Sequence, residues 1–160
     1  MGTPYVEIFD AYLSKINDDL YQNMDAEEMH MELLHVLQTA LPRFAYPKVD
    51  LTDREISPEG DEIGFTHTLS NTEIQIISTL MKAVWVENQI HNIYLLKQQF
   101  SDHDFQLAGT QAFHLRALLE TQRMLNNQCI QMLHTYSKSK GRDPQLNEAD
   151  FHGLAGGKRG

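Results

Sequence analysis

The sequence predicts an all-α protein, a four-helix bundle with two long helices and an extended C-terminal tail. Three observations carry that expectation. Apolar residues recur every three to four positions through four segments, the spacing that places them on one side of a helix. The segments open on recognisable start signals. Between Asn71 and Ala108 there is neither Gly nor Pro, which leaves room for one unbroken helix.

The first segment, "TPYVEIFDAYLSKI", offers Thr3 as N-cap and Pro4 just inside the helix, where its missing N–H costs nothing. Tyr5, Ile8, Phe9, Tyr12, Leu13 and Ile16 then repeat at helical spacing, and "NDDL" ends the run. The second begins at "MDAEEM": Asp25 caps, Glu28 completes a capping box, and Met24 can staple against Met29. Leu33, Leu34, Leu37, Ala40, Leu41 and Phe44 form its apolar face. Pro42 should kink or end this helix, because its ring removes a hydrogen bond and crowds the preceding turn. "AYPKVDLTDREISPEGDEIGF" reads as a loop, with two prolines, two glycines and six acids. A loop of that length in a small domain is commonly functional or mobile.

The third start is the clearest. Leu69-Ser70-Asn71-Thr72-Glu73-Ile74 supplies cap, capping-box glutamate and staple together. Ile74, Ile77, Leu80, Met81, Val84, Trp85, Ile90, Tyr94 and Phe100 mark a long helix to about residue 99, broken at "SDHDF" by Ser101 and Asp104. The last helix should run from about Thr110 to Tyr136. Its seam is Leu115, Leu118, Leu125, Cys129, Met132 and Tyr136, with Gln122 the one polar member, and such a seam suits neighbouring helices. The expected organisation is a helical bundle over 1–137 and an extended arm over 138–160.

At 160 residues, 41% hydrophobic, the chain suits one domain with one core. Its mean hydropathy of −0.43 leaves part of it solvated. No apolar run approaches the roughly 20 residues that span a bilayer, so no membrane role is expected. The start, "MGTPYVEIFD", lacks the basic end and apolar stretch of a signal peptide. Gly2 would suit myristoylation, but Val6 stands where Ser or Thr is wanted. A lone Cys129 allows no intrachain disulfide and fits a reducing cytoplasm.

Charge is unevenly spread. Residues 138–160 carry five basic and three acidic side chains, a net +2, so a total of −9 leaves −11 on the body. An acidic body repels phosphate, which argues against a sequence-reading DNA binder. The mildly basic arm could reach for an acidic protein surface.

No motif assembles chemistry. Glu-x-x-His occurs twice, Glu27 to His30 and Glu32 to His35, the spacing used by di-iron carboxylate bundles. Those bundles take it from two different helices. Here both copies lie on one, and His30 and His35 sit about 140° apart around the axis, too far to close on one ion. Glu87 with His91 has the wrong spacing. "GLAGGKRG" leaves three residues between Gly153 and Gly157 where a phosphate loop needs four, and Arg159 follows the lysine. Aligning Gly60 with the sixth position of a calcium loop puts Thr66 where the bidentate glutamate belongs. Cys129, mid-seam, reads as packing rather than as a reactive thiolate. The expectation is a non-enzymatic protein with no catalytic residue, cofactor or metal. A metal-binding helical bundle using the Glu–His pairs is the less favoured alternative.

One resemblance joins these segments. "LSNTEIQIISTLMKAVWVENQIHNIYLLKQQFSDHDFQ" (69–106), the "QAFHLRALLE" start of the last helix, "TPYVEIFDAYLSKI" and the "ALPRF" ending resemble small structural proteins of tailed bacteriophages. The class is the head–tail connector, or neck adaptor. The resemblance covers most of residues 3–136, departs at Pro42 and gives out in the tail. It implies a helical subunit made in the host cytoplasm and placed in the virion neck. Such a subunit would form a ring, usually of twelve adjacent copies, beneath the portal protein, and would meet other neck or tail proteins. Double-stranded DNA would pass without sequence-specific binding. A stopper or tail-completion protein of the same helical type is the alternative. The resemblance further implies that the C-terminal arm clasps the portal or a neighbouring copy. Gly141 and Pro144 would be its flexible lead, Leu146, Phe151 and Leu154 its apolar contact, with Phe151 the anchor, and Lys158 and Arg159 its basic end.

Overall fold

The computed structural model describes residues 2–16, 20–99 and 109–140. The chain is mostly helical, with a small antiparallel sheet added. In chain order the elements are β1 (Thr3–Pro4), α1 (Tyr5–Leu13), α2 (Leu20–Asn23), α3 (Ala26–Ala40), β2 (Arg54–Ile56), β3 (Glu62–Phe65), α4 (Asn71–Gln99) and α5 (Gly109–Lys140). No helix among the described residues is long and apolar enough to cross a membrane.

Helix α4 is the hub and packs against α1, α3 and α5. From Glu73 to Ile90 it is buried on most sides, with Ile76, Ile77, Met81, Val84 and Val86 almost fully removed from solvent. A helix with apolar side chains facing three partners belongs in the middle of a small protein. Each such side chain contributes roughly 1.5–3 kcal/mol by leaving water. Tyr5, Ile8, Phe9 and Tyr12 of α1 are buried on one stripe, as their spacing requires. Tyr12 shares a hydrogen bond of 3.1 Å with Tyr21 of α2.

The cap of α3 forms as expected: the Asp25 carboxylate accepts from Glu28 N–H at 2.8 Å. Leu33, Leu37, Ala40 and Phe44 are buried and Leu34 and Leu41 partly so, joined by Val36, which lies outside the expected face. The helix ends at Ala40 and the chain tightens into a 3₁₀ turn over Leu41–Arg43, where Pro42 stands. Helix α4 spans the expected range. Helix α5 runs through Lys140, so the first residues assigned to the arm are helical.

Two expectations fail at the N-terminus and in the long loop. Thr3 is not the cap of α1; the capping position is Pro4, and no side chain caps it. Thr3 instead lies in β1, buried, and its hydroxyl accepts from Leu69 N–H at 2.7 Å, tying the N-terminus to the entry of α4. The stretch 45–65 is not all loop. Strands β2 and β3 pair antiparallel, and β1 adds to the other edge of β3, for a strand order β1-β3-β2. The turn between β2 and β3 closes with Ser57 N–H on Asp61 O at 2.8 Å and Gly60 N–H on Ser57 O at 3.0 Å. Gly60 takes φ of +98°, a conformation side-chain-bearing residues rarely adopt. The sheet covers α1: Phe65 is fully buried and meets the Tyr5 ring edge-on at 5.2 Å.

Candidate interaction surface

The two long helices form the most extended pairing in the molecule, α5 lying along α4. The expected seam is the contact. Leu118, Leu125, Cys129 and Tyr136 are buried, Leu115 and Met132 partly so, and Gln122 is half-covered. Leu133 joins them.

A polar clamp closes the pair where α4 begins and α5 ends. Ser70 N–H and its hydroxyl each reach Glu73 Oε2 at 2.7 Å, and Ser70 Oγ accepts from Glu73 N–H at 3.3 Å: the capping box as expected. The other carboxylate oxygen, Oε1, accepts from the Tyr136 hydroxyl at 2.6 Å. That hydroxyl in turn accepts from Lys48 N–H at 2.8 Å. Phe44 packs edge-on against the Tyr136 ring at 5.2 Å, and the Lys48 ammonium lies 5.3 Å from its centre. Burial would push the Glu73 carboxyl up, but the hydrogen bonds from Tyr136 and Ser70 outweigh it and hold the group below its ordinary value. Burial, together with its bond to Glu73, pushes the Tyr136 phenol up to about 12. Beside the clamp a groove of about 410 Å³ opens between the helices, floored by Ile76, Met132 and Tyr136 and rimmed by Thr72, Thr135 and Ser139.

The far side of α5 is unlike its seam. Phe113, Met124 and Ile130 are 73%, 64% and 65% exposed. Leu119 on the same helix and Tyr94, Leu95 and Leu96 near the end of α4 are also exposed. Arg43 and Glu87 make a bidentate pair of 2.9 and 2.6 Å that links the end of α3 to α4.

The histidines weighed for metal binding go to different places. His30 meets the Phe9 ring edge-on at 6.0 Å, and Glu87 is engaged by Arg43. His35, Glu32 and His91 line one cleft of about 250 Å³ between α3 and α4. Among the described residues no three His, Cys, Asp or Glu side chains converge to hold an ion. Cys129 is buried, and burial pushes its thiol up, the opposite of activation. The arm residues Leu146, Phe151, Leu154, Lys158 and Arg159 lie outside the described residues.

Sequence reasoning missed the partner of Glu73. The capping box placed the carboxylate at a helix start, and helical spacing placed Tyr136 on the seam. Neither signal says that the two meet. No family model, curated protein or solved structure matches this chain.

Proposed function

We propose that the protein is a structural subunit without enzymatic activity, one copy of a ring that connects head to tail in a tailed bacteriophage. In this reading α1, α3, α4 and α5 act as a four-helix bundle. The ring seats beneath the portal, prolongs the DNA channel and presents the surface on which the tail docks. Twelve copies, each with a body charge of −11, would make a strongly negative ring that lets DNA pass without gripping it.

One observation carries the reading: the outer side of α5 keeps Phe113, Met124 and Ile130 in solvent along a helix whose other side is a packed seam. Phe113 and Met124 lie on one line of the helix, about 20° apart around its axis, with Ile130 about 120° farther round, and a subunit that packs against its neighbours has a use for such exposed apolar groups.

Mixing the purified chain with assembled portal rings and weighing the complex in the native state tests it. A defined complex with a dozen copies per portal ring is the expected result. Removing residues 141–160 should leave the helical content intact and abolish that complex. Binding to other neck or tail components but not to the portal would move the protein to the stopper or tail-completion class. Binding to none of them would end the connector reading.

A further inference from the structure

Eight of the thirteen basic residues lie in the body. Several have visible occupations: Arg43 holds Glu87, Arg54 pairs with Glu62 at 3.6 Å, and Lys48 sits over the Tyr136 ring. Lys15 and Lys82 are placed differently. Lys15, in the turn after α1, and Lys82, on α4, come from 67 positions apart into one cleft of about 200 Å³ where the end of α1 meets α4 and α5. Gln75, Thr79 and Gln128 complete its walls, and Met132 lies on its floor. Among the described residues no carboxylate lines it.

Lys15 gives a hydrogen bond of 2.5 Å to the neutral Gln75 Oε1, and the Thr79 hydroxyl is spent on the Gln75 backbone carbonyl at 2.7 Å. Burial pulls the Lys15 ammonium below its ordinary value, and the positive charge of Lys82 pulls it further. Two like charges drawn together inside a partly desolvated cleft repel one another. In a body of −11 an acidic neighbour would have been the ordinary remedy, and none of the cleft's lining residues supplies it.

We propose that this cleft binds a carboxylate presented by a second polypeptide, an Asp or Glu side chain or a chain terminus held between Lys15 and Lys82. Ammonium groups bind a carboxylate by charge-assisted hydrogen bonds, and the Gln75 and Gln128 amides bring further donors. Leu125 and Met132 give the aliphatic stem of an acidic residue something to lie on, which a hydrated inorganic anion cannot use. Among the described residues the cleft has no arginine fork of the kind that favours phosphate. The inference stands on this geometry and not on the connector reading.

The test is a titration of the full chain, followed through the ¹³C signals of its lysine side chains. The probe is the doubly capped dipeptide Ala-Glu, with capped Ala-Gln and inorganic phosphate as comparisons. The Lys15 and Lys82 signals should move together and saturate with Ala-Glu, while Lys97, farther along α4, stays put. Lys82→Gln should weaken binding by about tenfold or more with circular dichroism unchanged, and Lys82→Arg should restore most of it. Shifts that fail to saturate, that include Lys97 equally, that arise with Ala-Gln, or that are stronger with phosphate overturn the proposal, as does no shift at all. Asp18 and Asp19 lie outside the described residues, so the Asp18→Asn, Asp19→Asn chain is titrated as well. Several-fold tighter binding there would mean the chain's own carboxylates fill the cleft, and that too overturns it.

Discussion

The Tyr136 hydroxyl reaches Glu73 at 2.6 Å and so joins the last turns of α5 to the first turn of α4. The carboxylate serves both helices at once, one oxygen facing Ser70 at the start of α4 and the other facing α5. Glu73 is only 4% exposed, so neither oxygen can fall back on bulk water. The long helices are thereby fixed in register by a bond of defined direction, which an apolar seam alone does not provide.

Tyr136→Phe keeps the ring against Phe44 and removes only the hydroxyl. It leaves Glu73 Oε1 and Lys48 N–H without the partner they have in the wild type. Hydrogen bonds to charged groups are worth roughly 1.5–3 kcal/mol, and a buried group left unmatched costs its desolvation in addition. The expected loss is about 2–3 kcal/mol in urea unfolding. In a double-mutant cycle with Glu73→Gln, the two changes should cost about 0.5–3 kcal/mol less together than the sum of the separate losses. Strictly additive losses would show that the pair does not act as one unit.

Acid should loosen the same clamp. The folded Glu73 carboxyl lies below its ordinary value of 4.5. As pH falls, the unfolded chain therefore takes up this proton first. The contribution is complete above about 4.5 and is lost as pH drops through the folded value. Urea midpoints measured from neutral pH downward should fall less steeply for Glu73→Gln than for the wild type, because glutamine can keep the cap but carries no proton to titrate. Parallel acid limbs would contradict this assignment.

The helices were legible because they announce themselves locally. Asp25 and Glu73 sit at starts, the apolar spacing continues from them, and Pro42 marks an end. The sheet was hidden for the opposite reason. Its strands are two to four residues long and β2 is largely exposed, too short and too wet for an alternating pattern to show. Thr3-Pro4 even imitates a helix entry, since a hydroxyl before a proline is a cap signal whichever group the hydroxyl meets. The prolines, glycines and acids of 45–65 read as a loop, and such a composition does not say that short strands lie within it. Long-range pairings were equally silent. Lys15 and Lys82, like Glu73 and Tyr136, belong to separate elements, and spacing along one helix cannot reveal what another brings to it.

Gly64 tests whether the short β1 edge matters. A Cβ there would come within 2.7 Å of Thr3 O and 3.0 Å of Pro4 Cα, both backbone atoms that cannot rotate away. Gly64→Ala must push β1 off β3, disturbing the Thr3 hydroxyl bond to Leu69 N–H as well. Overpacking of this kind costs about 1–3 kcal/mol. Gly60→Ala is the contrast. Nothing lies within 4 Å of its Cβ position, and only the positive φ opposes the change, at about 1 kcal/mol. Urea unfolding should rank Gly64→Ala clearly below Gly60→Ala. The reverse order would make β1 dispensable.

The outer side of α5 should be separable from its seam. Replacing Phe113, Met124 and Ile130 together by Gln removes apolar groups that are already mostly in water, and Gln is a good helix former. Each exposed change should stay within about 0.5 kcal/mol, so the melting curve should hardly move. Leu125→Ala on the seam deletes buried methyl groups and should cost about 2–5 kcal/mol. If α5 is the face by which copies pack in a connector ring, the outer triple variant keeps its fold and loses assembly, while Leu125→Ala loses stability first. Native mass measurement beside thermal melting distinguishes the two losses. A triple variant that still assembles with the portal would place the contact between copies on another surface.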